Sequence, residues 1–341
     1  MRVALDAMGG DHAPGPIVAG AVQAVAANAD ISVVLVGDTA QIEPAVAKAS
    51  GSLGDRLSIV HCTQSVTMEE SPVEALRKKP DNSISRTWQL LADKKVDAIV
   101  SAGNTGAMVA GGLRLRRFLK GVRRPGIATV MPTMKGPCVL IDVGANVAPK
   151  AAHLYAYGVM GSIFARHILG RERPSVGLMN VGSEEAKGND LSKETHALFN
   201  AGRFKDRFIG NVEGRDIHRG ACDVVVTEGF LGNVILKVCE GLFEFIMKLV
   251  YHEVSQALHD EKDAKHTAQQ AIHGMIHKHD YSAYGGAPLL GIDGICIICH
   301  GSSGDRAIKN ALNVAAQYAR GGLNQKIVEE LAAFPAGGDE E

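Results

Sequence analysis

The sequence predicts an α/β fold, a mostly parallel sheet with helices on both faces and a projecting helical hairpin. Two observations carry that prediction. Short apolar runs alternate with helix-length segments from the first residues onward, the pattern of βαβ units. Those runs repeatedly end in Gly, Asn or Ser, the residues of a strand turning into a helix at a sheet edge.

Residues 3–6 read as the first strand, followed by the turn AMGGD and a helix over 16–28. Strands over 31–36, 57–60 and 98–100 alternate with helices over 42–49 and 83–93. SAGNTGA (101–107) follows the last of these strands and opens a helix, with Asn104 or Thr105 as cap and Gly103 and Gly106 allowing close approach to the backbone. A strand over 139–143 ends in DVGAN, which puts Asp142 and Asn146 at a sheet edge. A long helix over 150–169, rich in small residues, follows. The apolar run Val176, Leu178, Met179 leads into NVGSEEAKGND (180–190), whose Asn180, Ser183 and Lys187 precede a helix capped by Asn189 or Asp190. A glycine-bearing loop between strand and helix favours anions, and a lysine there can reach an oxyanion. Strands over 208–212 and 224–227 come next.

A helix is expected from about 234 to 258, and over 234–250 it is apolar on nearly all sides and demands burial in a core or against another subunit. The polar HDEKDAKH turns it into a second helix near 266–278, so the hairpin spans about 234–280 and is expected to build a homodimer. A strand over 295–298 and HGSS (300–303) open the last long helix, and FPAGGDEE is expected to be a disordered acidic tail. One catalytic domain over 1–335, with 336–341 as tail, is the expected organisation.

Lys+Arg and Asp+Glu total 36 and 37, a net charge of 36 − 37 = −1, so no global field recruits nucleic acid. Aromatics at 5% do not supply a stacking platform for single strands. No apolar stretch approaches the ~18–20 residues that span a bilayer, and MRVALDAMGGD does not read as a signal peptide. The six scattered cysteines read as reduced thiols of a cytoplasmic protein. Cys296 and Cys299 are three apart on a strand and face opposite sides, so they cannot share a metal. The histidines at 252, 259, 266 and 273 are about 10 Å apart along a helix, and only His273 and His277, with His279 nearby, have chelating spacing. A solvated face is expected there, and no metal site.

Five strand ends, at 101–107, 142–146, 180–189, 227–233 and 300–303, are expected to converge on one elongated cleft at a single sheet edge. Its amides, hydroxyls and one lysine suit an oxyanion such as phosphate. Neither a nucleophile elbow nor a Walker loop is present.

DAMGGD, SPVEALRKKPDNSI, SAGNTGA, DVGAN, NVGSEEAKGN, GNVEGRDI, FLGN and YGGAPLLG…HGSS, in order over residues 1–303, resemble the bacterial acyl-(acyl-carrier-protein):phosphate acyltransferase family, known as PlsX. The resemblance implies an α/β/α sandwich like isopropylmalate dehydrogenase and phosphotransacetylase, usually a homodimer. It implies transfer of a fatty acyl group from acyl carrier protein to inorganic phosphate, with no cofactor. The acyl phosphate would supply a glycerol-3-phosphate acyltransferase in phospholipid synthesis, the enzyme resting weakly on the inner membrane face. On that reading Lys187 and Asn233 hold phosphate or the developing oxyanion and His300 protonates the leaving thiolate. Gly103, Asn104, Thr105, Asp142, Asn146, Asn180, Ser183, Ser302 and Ser303 bind phosphate or the acyl group. The clusters Arg77, Lys78, Lys79 and Arg114, Arg116, Arg117, Lys120, Arg123, Arg124 would dock the acidic carrier protein. Glu228 departs from the family's usual aspartate. A dehydrogenase on the related fold lacks its dinucleotide fingerprint here, and a non-enzymatic membrane scaffold predicts no phosphate-dependent loss of thioester.

Overall fold

The computed structural model describes residues 1–259, 261–279 and 285–333. The expected tail and Tyr284 lie outside the described residues, as do the side chains of His277 and His279.

The strands are β1 (Arg2–Asp6), β2 (Ser32–Gly37), β3 (Leu57–His61), β4 (Ala98–Ser101), β5 (Gly126–Met131), β6 (Cys138–Ile141), β7 (Val176–Met179), β8 (Phe208–Val212), β9 (Val224–Val226), β10 (Ala287–Leu290) and β11 (Ile295–Ile298). They form one sheet in the order β3-β2-β1-β4-β11-β10-β5-β6-β9-β7-β8. Its inner strands hold buried runs such as VVLVG and VGLM because helices cover both faces, while the edge strands β3 and β8 are only partly buried.

On one face lie α1 (Gly15–Ala27), α2 (Thr39–Lys48), α6 (Ala151–Ile168), α7 (Asp190–Ala201), α11 (Asp305–Arg320) and α12 (Leu323–Ala333), whose apolar residues join one core cluster. On the other lie α3 (Pro72–Lys78), α4 (Ser83–Ala92), α5 (Thr105–Leu115), α8 (Gly214–Arg219) and the start of α9 (Gly229–Ala257). Cys299 belongs to the first cluster and Cys296 to the second, so the two thiols do face opposite sides of the sheet. α10 (Lys262–His279) folds back on α9 as the hairpin.

Periodicity located most elements to within a few residues, with three displaced starts, that of α10 at Lys262 among them. α9 begins at Gly229 because the Glu228 carboxylate caps it, accepting from Phe230 N at 2.7 Å and Leu231 N at 2.8 Å. The helix after HGSS begins only at Asp305. α3, β5, α8, β10 and α12 were not foreseen; most are short, and a buried strand such as β5 has no alternation to betray it.

One expectation needs correction. β10 runs antiparallel to both β11 and β5, and β5 runs antiparallel to β6; the other neighbours pair in parallel. The half from β6 to β8 therefore points opposite to β1, β4 and β11. Loops 101–107 and 300–303 leave one rim, whereas 142–146, 180–189 and 227–233 leave the other. No single edge collects the five loops, because the antiparallel β5–β6 pair reverses the sheet between them.

Candidate functional site

Near the first rim, the turns after β1, β4 and β11 pack on each other. The buried Asp6 carboxylate accepts from Ser101 Oγ at 2.7 Å and Met8 N at 3.2 Å. Burial raises its pKa, and these hydrogen bonds oppose the rise. Gly9 lies against Gly103, where a Cβ would come within 2.6 Å of the Gly103 nitrogen. Asp11 N donates to Gly301 O at 2.8 Å, which ties HGSS to the first turn.

Asn104 caps α5, its Oδ1 accepting from Ala107 N at 3.0 Å while its amide donates to the carbonyls of Thr67, Met68 and Glu70. Its side chain is thus committed to holding the 67–70 loop. Thr105 is exposed at the first residue of α5, where free N–H groups and the helix dipole favour an anion. The Gly103 N–H is already bonded to Ser101 Oγ at 3.0 Å.

At the other rim, DVGAN is closed on itself. Asp142, buried, accepts from the N–H groups of Ile127, Gly144, Ala145 and Asn146. Burial raises its pKa, against the pull of these bonds. The Asn146 amide donates to Pro125 O, Asp142 Oδ2 and Tyr157 OH. Both side chains build the turn and present nothing to a ligand. TEGFLGN explains its glycines here: a Cβ on Gly229 would lie 2.7 Å from Asn146 O, and one on Gly232 would overlap the Asp142 carbonyl oxygen. The first turns of α9 can therefore lie directly on the DVGAN backbone, which brings Asn233 against Gly144. Asn233 is exposed, and its amide makes no hydrogen bond among the described residues.

α9 thus runs from the second rim across the sheet face, with a cavity on either side of its first turns. One, of about 120 Å³, is lined by Thr105, Thr129, Asn233, Lys237, Cys299 and His300, among others. Ser302 N donates to His300 Nδ1 at 3.3 Å and Ser302 Oγ lies 2.8 Å from the same nitrogen, so neutral His300 carries its proton on Nε2, as a donor. Ser303 N donates to His300 O at 3.0 Å, completing the turn. Burial pushes the Cys299 thiol up to about 12, which keeps it protonated.

The second cavity, of about 670 Å³, is lined by Asn180, Gly188, Asn189, Thr227, Glu228 and Leu231, among others. The Asn180 amide donates to Lys187 O at 3.1 Å and shapes this loop. Lys187 and Ser183 are exposed; the Lys187 stem packs over Gly182, and its ammonium has no ion pair among the described residues. Glu185, a plausible partner by spacing, lies 3.3 Å from His196 instead. Asn233 and His300 thus share one cavity with Thr105, and Lys187 stands on the loop beside the other.

The basic clusters divide in the same way. Lys79 bonds Glu70 and Ser65 O, Lys78 bonds Glu74, and Arg117 bonds Ala92 O and Asp293. Arg77, Arg114, Arg116, Lys120 and Arg124 are exposed without a partner among the described residues, and α3 and α5 pack on each other. Arg123 is also exposed.

Three features escaped the sequence reading. From the sequence alone Asp6 reads only as strand, and Glu228, His218 and Cys239 carry no role. His218 Nδ1 lies 3.1 Å from Pro132 O and must donate to it, leaving Nε2 to accept from Cys239 Sγ at 3.3 Å. That bond pins α9 to α8. The one available signal is an acid at the end of a buried strand, Asp6 as the last residue of β1 and Asp142 directly after β6.

A family model described as "Fatty acid synthesis protein" matches residues 1–326. "Phosphate acyltransferase" of Geotalea uraniireducens is 45% identical over 97% of this chain and 94% of that protein. The same description belongs to a Heliobacterium modesticaldum relative, 46% identical over 97% of this chain and 96% of its own. The chain belongs to the phosphate acyltransferase family. Solved structures agree on the fold: a Streptococcus pyogenes phosphotransacetylase superposes with a TM-score of 0.61 at 16% identity over 94% of each chain. A branched-chain phosphotransacylase from Enterococcus faecalis gives 0.54 at 14% identity, over 94% of this chain and 99% of that one. The phosphotransacetylase-like sandwich expected from the sequence is therefore the fold.

Proposed function

We propose that the chain transfers a fatty acyl group from an acyl-carrier-protein thioester to inorganic phosphate. The observation that carries this reading is the Thr105–Asn233–His300 cavity. It joins a helix N-terminus, an unpaired amide and an imidazole N–H, all donors suited to an oxyanion. Phosphate near neutral pH is already a nucleophile toward a thioester, so positioning and charge stabilisation suffice. A phosphate oxygen attacks the acyl carbon, the carbon–sulfur bond breaks, and the thiolate takes its proton from His300 Nε2 or solvent. Asn233 donates to the thioester oxyanion; Thr105 and the Ser303 hydroxyl hold phosphate, and Ser302 orients His300. Lys187, which has no ion pair among the described residues, supplies positive charge from the neighbouring loop.

The exposed arginines and lysines of α3 and of the segment after α5 receive the acidic carrier protein. The outer face of α9, where Val234, Val238, Leu242, Phe245 and Leu249 are exposed, pairs with a second copy. No helix among the described residues is long and apolar enough to cross a membrane; any membrane contact is weak and peripheral, at the hairpin, where a glycerol-3-phosphate acyltransferase would consume the product. The test is purified protein with an acyl-carrier-protein thioester, with and without phosphate, monitored for acyl phosphate. Thioester loss that ignores phosphate would refute the reading.

A further inference from the structure

The side of α9 that faces the Thr105–Asn233–His300 cavity does not end there. Asn233, Leu236, Lys237 and Glu240 line that cavity, and the same helix face continues as Phe243, Met247, Tyr251 and Ser255. These line a third, mainly apolar cavity of about 570 Å³, bounded on its far side by His273 and Ile276 of α10. Phe243, Met247 and Ile276 are partly buried there, and Tyr251 is braced by an edge-on contact with His273 and a 3.0 Å bond from Gln269. The opposite side of α9 carries the exposed stripe from Val234 to Leu249, so the helix has two distinct apolar faces.

We infer that the groove between α9 and α10 receives the hydrocarbon tail of the acyl substrate and sets its preferred length; this rests on the acyl-transfer reading above. Leu236 to Tyr251 spans ~22 Å at 1.5 Å per residue, about the extended length of a chain of roughly sixteen carbons. A thioester carbonyl held by Asn233 would aim its tail down this face, past the Lys237–Glu240 ion pair and onto Phe243 and Met247. Short chains would end before the groove; long ones would bury several methylenes in it.

The test compares acyl-carrier-protein thioesters of about eight, twelve and sixteen carbons on the full-length protein carrying Met247→Trp, which fills the groove, or Met247→Ala, which widens it. With Met247→Trp, kcat/KM for the sixteen-carbon donor should fall about 10–100-fold, as expected for several methylenes left in water, while the eight-carbon donor keeps its rate. Met247→Ala should leave the short donor unchanged and shift preference towards longer chains. An equal loss at all lengths, or no change at any, overturns the inference. Phosphate-independent behaviour of the unsubstituted protein with every donor would instead count against the acyl-transfer reading.

Discussion

The DVGAN turn and the first turns of α9 touch each other, yet they use their polar groups in opposite ways. Asp142 and Asn146 spend their side-chain hydrogen bonds on the protein itself: backbone N–H groups, the Pro125 carbonyl and the Tyr157 hydroxyl. Asn233, one helical turn away, makes no side-chain hydrogen bond among the described residues. Asn104 and Thr105 repeat the contrast at the other rim: one side chain holds four backbone partners, and its neighbour is exposed. Polar residues at strand ends thus fall into a framework set and an uncommitted set, and a ligand can draw only on the second.

That division predicts where mutations will act. The largest expected effect is on turnover: Asn233→Ala should cost ~10²–10³ in rate with folding intact, as loss of one oxyanion donor does. Lys187→Ala sharpens the point, since an equal loss would show that the two cavities serve one reaction, and normal turnover would remove Lys187 from the chemistry. Circular dichroism and steady-state rates together separate these outcomes. Asp142→Ala should act on the framework, lowering stability by ~3 kcal/mol or more because several buried N–H groups lose their acceptor; urea unfolding reads this out, and a small loss would break the division.

Burial raises the Asp6 carboxyl above its ordinary 3.8, so the folded state holds that proton more tightly than the unfolded chain. Its contribution is complete below pH 3.8 and is lost as pH climbs through the raised value. Asp6→Asn should flatten that arm of the stability curve, seen as urea midpoints across about pH 4–8; an unchanged slope would contradict it. The smallest effect is at the surface, where Arg77→Glu with Arg114→Glu should raise KM for the carrier protein roughly 3–10-fold and leave KM for phosphate unaltered.

The sequence made the α/β class, most element positions and the glycine-bearing strand ends legible, since hydrophobic period and turn chemistry are local. It could not show the reversal at β5–β6, because pairing direction is a property of distant segments; hence the single cleft became two cavities. Nor could it separate Asn104 from Thr105 or Asn146 from Asn233, since commitment depends on carbonyls far away in the chain, such as those of the 67–70 loop and Pro125. The basic clusters were legible as charge but not as function: Lys79 and Arg117 prove to be braces.

The most direct test of phosphate as nucleophile traces its oxygen. With ¹⁸O-labelled phosphate and an acyl-carrier-protein thioester, the acyl phosphate formed should carry the label in the oxygen bridging carbon and phosphorus, with no acylated protein accumulating on the way. Thioester cleavage without labelled acyl phosphate, or an acyl group found on the protein first, would contradict direct attack.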